Sequence, residues 1–262
     1  MHPPAVASPS DTRWQSIPDS ESPYGPLGPP DTNGVCLPSG FSSRVVARSG
    51  QPVGGTNWHA APDGGACFGD GAGWIYVSNS EIPLAGGASA IRFGPDGAVK
   101  EAYRILGDTN LNRTGTPTPW GSWLSCEEIM LGRVHETDPF GQHAAEARET
   151  MGRFTHSAIA CDADREVVYL TEDETDGCFY RFVPEVWGDL SAGRLEVLRV
   201  LDGDVEWLPV PSPAPGFLDT ATRHQIETAR HFDGAADCRY ADGVCHFTAS
   251  GTAWAYVPGR AS

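Results

Sequence analysis

Short apolar segments separated by Gly, Pro and Asp recur from Phe41 onward, and this pattern predicts a series of β-strands. The clearest predicted strands lie at 74–78, 88–93, 99–106, 157–161, 167–171 and 178–183. A Gly-Pro-Asp-Gly sequence at 94–97 predicts a tight turn between the second and third of them. Only one stretch, around 143–151, favours a helix. Because strands are predicted elsewhere, the chain is predicted to be all-β.

A short sequence motif occurs at four predicted strand ends, and it indicates an internal repeat. Each copy holds a ring side chain, an apolar residue and a hydroxyl, at 76–78, 123–125, 169–171 and 246–248. Sheet units that recur about every 40–45 residues are typical of β-propeller blades. A β-sandwich changes strand about every 8–12 residues. Chance recurrence of a β pattern remains the alternative on spacing alone.

Acidic residues follow three of these four motifs, and their position suggests a cation site. They include Glu81 after the first motif, Glu128 after the second and Glu172 after the third. In a propeller, equivalent strand ends surround a central channel, so these carboxylates are expected to converge. Converging carboxylates repel one another unless a proton or a cation lies between them, and calcium prefers such oxygen ligands.

Composition narrows the classes of function. The 262 residues include 18 basic and 34 acidic side chains, which gives a formal net charge of −16. This balance argues against a nucleic-acid partner, because phosphate contacts come mainly from Lys and Arg. No apolar run approaches the roughly 18 residues of a membrane span. The first 30 residues lack the basic and apolar regions of a signal peptide, so no export signal is expected in this sequence.

The cysteines and serines give no independent catalytic signal. There are seven Cys and no Cys-x-x-Cys pair, so neither a disulfide framework nor a zinc ribbon is indicated. Cys126 stands beside two carboxylates, and we interpret it as a packed small residue. No Ser lies in a Gly-x-Ser-x-Gly elbow, and no phosphate-binding or dinucleotide motif is present.

Four ordered motifs carry a family resemblance. They are TPWGSWLSCEE at 118–128, MGRFTH at 151–156, YLTED at 169–173 and FYRFVP at 179–184. Together they resemble the PhoX-type alkaline phosphatase family, and PYGPLG at 23–28 with WHAAPDGG at 58–65 resembles its shorter bacterial members. The resemblance runs from about residue 23 to about residue 257.

The resemblance implies a fold and an activity. Characterised relatives are six-bladed β-propellers that carry iron and calcium in the central channel, and they are exported phosphomonoesterases. Their metal ions clamp phosphate oxygens and position or generate an oxygen nucleophile. A small phosphorylated molecule is therefore the implied substrate, with calcium as the expected cofactor and iron as a second candidate.

The resemblance also assigns roles to individual residues. Glu128 matches the second Glu of the family's Cys-Glu-Glu motif, a metal ligand, and Glu136 matches a metal-binding Glu in the following strand. Glu172 matches the Glu of the Thr-Glu-Asp motif, an iron-side ligand, and is our candidate catalytic residue. The alternative for all three is a solvated strand end.

Three positions depart from the family pattern. Arg113 stands where the family has its iron-binding cysteine, and a guanidinium donates hydrogen bonds but cannot ligate a metal. We therefore interpret Arg113 as a candidate phosphate-binding residue. Ser157 replaces a carboxylate, and Ala236 stands at the position of a late Glu, with Asp237 one residue away.

The resulting hypothesis divides the chain into an irregular arm at 1–40 and a PhoX-like propeller domain at 41–262. Relatives continue well past the segment equivalent to 254–256, so about two C-terminal blades are expected to be lacking. One functional hypothesis is a metal-dependent phosphomonoesterase. The other is a non-catalytic propeller that retains at most a structural calcium site. A propeller lactonase or sugar-binding module shares the architecture but explains none of the four motifs.

Overall fold

The computed structural model describes residues 22–259 and the backbone of a short strand at Val6–Ala7. The described residues form antiparallel strands with two short 3₁₀ helices, Glu149–Met151 and Thr222–His224. No helix in this part of the chain is long and apolar enough to span a bilayer. The all-β prediction is confirmed.

The helix expected around 143–151 was wrong except for one 3₁₀ turn. The Asp138 carboxylate accepts hydrogen bonds from the backbone N–H groups of Phe140, Gln142 and His143, and these bonds fold the segment into a loop. Local bonds of this kind compete with helix formation. The loop leads into a short edge strand, and the 3₁₀ turn follows it.

One separate strand and two short hairpins come first along the chain. Strand β1 is Val6–Ala7, and the next four strands are β2 (Leu27–Pro30), β3 (Cys36–Pro38), β4 (Pro52–Val53) and β5 (Thr56–Asn57). β2 pairs with β3 and β4 pairs with β5. Part of the arm predicted at 1–40 lies outside the described residues, so that boundary stays a prediction.

Four antiparallel sheets follow in chain order. The first contains β6 (Pro62–Asp70), β7 (Gly73–Ser80), β8 (Gly86–Phe93) and β9 (Val99–Thr109). The second contains β10 (Asn112–Pro117), β11 (Trp123–Glu127), β12 (Val134–Thr137) and β13 (Glu146–Ala147). All three strands predicted early in the chain lie within the first sheet, and Gly97 adopts φ 74° in the predicted turn.

The third sheet is the largest. It contains β14 (His156–Asp162), β15 (Val167–Glu172), β16 (Gly177–Val186), β17 (Asp189–Leu201) and β18 (Asp204–Pro209), and β19 (His231–Phe232) also pairs with β16. The fourth contains β20 (Ala236–Ala241), β21 (Val244–Ala249) and β22 (Thr252–Tyr256), with β1 paired to the outer edge of β22.

The sheets are arranged like propeller blades. β6, β10, β14 and β20, the first strands of the four sheets, contact one another in that order and line a common channel. Each repeated motif lies on the second strand of its sheet, so the sequence repeat is also a structural one. The strands β7, β11, β15 and β21 all finish at one end of the channel. We call this end the channel mouth. The propeller-like fold is confirmed.

Buried aromatic rings join neighbouring sheets. Phe179 of β16 stacks on Phe247 of β21, with ring centroids 4.5 Å apart, and both are almost fully buried. Between the first two sheets, the indole N–H of Trp123 donates to Asn79 Oδ1 over 2.9 Å. Large buried rings contribute much of a core's stability, and the indole hydrogen bond fixes the orientation of this one.

Each first strand carries one extra residue near the channel mouth. The ladders shift register at 63–64 opposite Asn79, at 113–114 opposite Cys126, at Ser157 and at Asp237. We call these positions the channel bulges. A β-bulge leaves a residue outside the ladder and redirects its side chain, and bulges are frequent beside active sites.

Candidate functional site

The channel mouth gathers carboxylates from several sheets. Burial raises the pKa of Glu128; the hydrogen bond and charge of Arg113 oppose that rise, and the nearby charges of Asp173 and Glu81 add to it. Burial likewise raises the pKa of Glu81, and the charge of Asp63 and a hydrogen bond between the two side chains raise it further. Asp63 occupies the first channel bulge. Like charges at short range disfavour ionisation, so a positive charge placed at this mouth is electrostatically favourable.

Arg113 supplies positive charge at this mouth. Its Nη1 donates to both carboxylate oxygens of Glu128, over 2.8 and 2.7 Å. This hydrogen bond and the negative charges of Glu128, Glu81 and Asp63 raise the pKa of Arg113 above its ordinary value. A guanidinium is a permanent cation, so the pair persists across the physiological pH range.

The backbone at Arg113 is held by neighbouring strands. Asn79 Nδ2 donates to the carbonyl oxygens of Arg113 and Thr114, over 3.1 and 2.8 Å. A side chain at Gly64 would place its Cβ 2.8 Å from the Arg113 carbonyl oxygen, so glycine permits β6 and β10 to meet here. Asn79 is therefore a positioning residue for the second channel bulge.

Glu136 lies on β12 with partners of its own. Its Oε1 accepts hydrogen bonds from Trp120 Nε1 over 2.8 Å and from Ser122 Oγ over 2.5 Å. Its Oε2 accepts from Arg148 over 2.8 Å. The group borders a cavity of about 340 Å³ that also includes His143. None of the partners of Glu136 contacts Glu128 or Glu172 through a hydrogen bond within the described residues.

Glu172 is fully buried at the end of β15. Tyr180 Oη donates to it over 2.8 Å, the Cys178 backbone N–H over 3.2 Å and Arg223 Nη1 over 3.0 Å. Burial raises the pKa of Glu172, although the hydrogen bond from Tyr180 and the charge of Arg223 oppose that rise. This carboxylate already accepts three hydrogen bonds from its own chain.

The three predicted metal ligands thus have three different counter-ions. Glu128 pairs with Arg113, Glu136 with Arg148 and Glu172 with Arg223. Among residues 22–259, no group of three or more His, Cys, Asp or Glu side chains is arranged to hold a metal ion. Calcium takes 6–8 oxygen ligands. The residues as arranged do not fit that requirement, and the metal and catalytic roles of these glutamates stay predictions.

Sequence reasoning missed three residues at the mouth. Asp63 lies within the family-like segment 58–65 and Asp173 within 169–173, but no role was assigned to either. Asn79 directly follows the first repeated motif, and that position was the available signal. Two of the three departures from the family pattern, Arg113 and Ser157, lie at channel bulges, and the third, Ala236, pairs with Thr248 directly before the bulge at Asp237.

Comparison with known proteins agrees with this fold. The family Alkaline phosphatase PhoX matches this chain over residues 130–255. The chain is similar to the PhoX family. The match includes Glu136 and Glu172, whereas Arg113 and Glu128 precede it. A comparison with curated proteins finds no match.

Solved structures include a PhoX relative with a similar fold. The structure of Pseudomonas fluorescens PhoX in complex with vanadate, a transition state analogue, superposes with a TM-score of 0.61 at 17% identity. The match covers 80% of this PhoX-like chain and 65% of that chain. A gluconolactonase from Xanthomonas campestris aligns at 13% identity over 70% of this chain and 68% of its own, with a TM-score of 0.35, too low to inform the fold.

Proposed function

We propose that this PhoX-like chain is a non-catalytic propeller whose own arginines replace metal ions. The observation that supports the proposal is that each of the three glutamates expected to bind metal has its own arginine partner. A carboxylate that is already neutralised by a neighbouring guanidinium gains little from a second cation. Metal binding would first have to break these pairs, which for Arg113 removes the carboxylate it contacts, while Arg148 keeps Glu146 and Arg223 keeps Asp176.

The same contacts weaken the case for Arg113 as a phosphate-binding residue. An arginine can hold a phosphate through two parallel hydrogen bonds when its charge is available. Here the guanidinium faces Glu128, Glu81 and Asp63, so the mouth is negative even with Arg113 included. An incoming phosphate dianion would meet net repulsion at this place.

The first test removes the guanidinium. In Arg113→Gln the carboxylates of the mouth lose their internal cation, and excess calcium is expected to stabilise the variant by about 1–2 kcal/mol. The wild-type chain is expected to change by less than about 0.5 kcal/mol under the same conditions. The measurement is urea unfolding with calcium and with a chelator.

Arg133→Gln is the matched control, because the Arg133 guanidinium pairs with Glu149 and not with Glu128. It is expected to show no calcium response. A wild-type chain that calcium stabilises as strongly as Arg113→Gln would contradict the proposal.

Turnover is tested on the same protein. The wild-type chain, supplied with calcium and iron, is expected to release no phosphate from p-nitrophenyl phosphate at alkaline pH. Release that disappears in Glu128→Gln would overturn the proposal, because it would place that carboxylate in a working metal site.

A metal-dependent phosphomonoester hydrolase is the second candidate. It is favoured by the similarity to PhoX and by the carboxylates of Asp63, Glu81, Glu128 and Asp173 around one mouth. For this function a cation would have to displace Arg113 from Glu128. Elemental analysis separates the two candidates: near-stoichiometric iron supports the hydrolase, and the proposed non-catalytic propeller is expected to contain neither iron nor calcium.

A further inference from the structure

Two cysteines of the fourth sheet lie with their sulfur atoms in contact. Cys238 is on β20 and Cys245 on β21, and their Sγ atoms are 3.5 Å apart. No other contact between cysteine sulfurs is found in residues 22–259. A disulfide needs its two side chains on one face and within reach, and this pair is the place to look for one.

The hairpin register keeps the two sulfurs together. Cys238 is opposite Phe247, and Tyr240 is opposite Cys245, so the cysteines are diagonal neighbours on the same face. Asp242 and Gly243 connect the strands with φ angles of 52° and 80°. Two successive residues with positive φ are typical of the tight hairpin turn that fixes strand register.

The two thiols differ in access. Cys238 is partly exposed and lines the channel cavity of about 450 Å³, whereas Cys245 is fully buried beneath it. A small oxidant in the channel therefore reaches Cys238 first. Burial raises the pKa of the Cys245 thiol well above its ordinary value, so its reaction is expected to be the slower one and to speed up as the pH rises.

We propose that Cys238 and Cys245 are an oxidation site at which a peroxide forms a reversible disulfide within the β20–β21 hairpin. The Cys238 thiolate attacks one peroxide oxygen, the O–O bond breaks, and Cys238 becomes a sulfenic acid as hydroxide leaves. The Cys245 sulfur then attacks the Cys238 sulfur and the S–O bond breaks. The departing hydroxide takes up the proton of the Cys245 thiol and leaves as water. In total two thiols are oxidised, and one hydrogen peroxide is reduced to two waters.

The sequence provides a direct assay for this bond. Trypsin cleaves after Arg230 and Arg239, so the two cysteines fall on separate peptides, 231–239 and 240–260. The folded chain is reduced, freed of reductant, treated with hydrogen peroxide, alkylated after unfolding and digested. We expect the two peptides to appear as one linked pair, with a mass two hydrogens below the sum of the two peptides. Neither cysteine is then expected to be alkylated. Treatment with a reductant before alkylation is expected to restore alkylation of both cysteines.

Two controls make the result specific. Cys161→Ser removes a thiol that shares a second channel cavity with Cys238, and the linked pair is expected to form as in the wild type. Cys245→Ser should leave Cys238 as a sulfenic acid without the linked pair. The proposal is overturned if the pair forms only after unfolding, or if Cys238 links to Cys161 in the folded wild-type chain. It is also overturned if Cys238 remains fully alkylated after peroxide treatment.

Discussion

Replacement of Glu172 by alanine is expected to lower the free energy of unfolding by about 3–5 kcal/mol. The carboxylate is fully buried, and its loss leaves the Tyr180 hydroxyl without an acceptor and Arg223 with only the half-exposed Asp176, over 2.8 Å, and the more distant Glu174. Removal of one member of a buried ion pair costs more than the pair itself contributes, because the other charge stays desolvated. Urea unfolding of the purified chain at neutral pH measures the loss.

Glu174→Ala is the matched control for this experiment. Glu174 lies 3.9 Å from the same arginine, and its side chain is 31% exposed. Its loss is expected to cost less than about 1 kcal/mol, as for other exposed pairs. Equal losses of unfolding free energy in the two variants would show that burial does not increase the contribution of the Glu172–Arg223 pair to stability. Added calcium or iron is expected to change neither result.

Acidification from neutral pH to about 4 is expected to destabilise the fold by roughly 3 kcal/mol through His156 alone. Burial lowers the pKa of His156 from 6.5 to about 4, against a raising contribution from the Gly152 carbonyl. The unfolded chain therefore takes up this proton below about 6.5, and the folded chain does so only near 4. The stability is complete above 6.5 and is lost progressively as the pH falls toward 4.

His156→Gln isolates this contribution from that of the carboxylates. The imidazole is fully buried against Phe154, with ring centroids 3.8 Å apart, so the variant is less stable at neutral pH but should have a flatter pH dependence. His143, whose side chain is 82% exposed, provides the comparison, and His143→Gln should keep the wild-type slope. Parallel slopes for wild type and His156→Gln between pH 7 and about 4 would contradict the assignment.

Much of the scaffold could be predicted because its signals are local. The predicted strand at 167–171 is β15, and that at 157–161 lies within β14, since both are apolar segments bounded by turn residues. The repeated motifs are local too, and each falls on the second strand of a sheet. The channel bulges could not be predicted, because a single extra residue depends on which strands pair and in which register.

The site was harder to predict than the fold. Family motifs place Glu172 along the chain, but its counter-ion Arg223 lies 51 residues further on and belongs to none of the quoted motifs. The same holds for Arg148 beside Glu136. Whether a carboxylate is available for a ligand depends on such distant partners, and a motif match carries no information about them.

The channel bulges have a consequence for how such a protein can change over time. A bulged residue takes no part in cross-strand pairing, so exchanging it alters the mouth while every ladder stays intact. The guanidinium of Arg113 and the hydroxyl of Ser157 occupy two such positions. Chemistry and folding are therefore separable traits in this architecture, and a lineage can lose or regain an activity through single substitutions without passing through an unfolded intermediate.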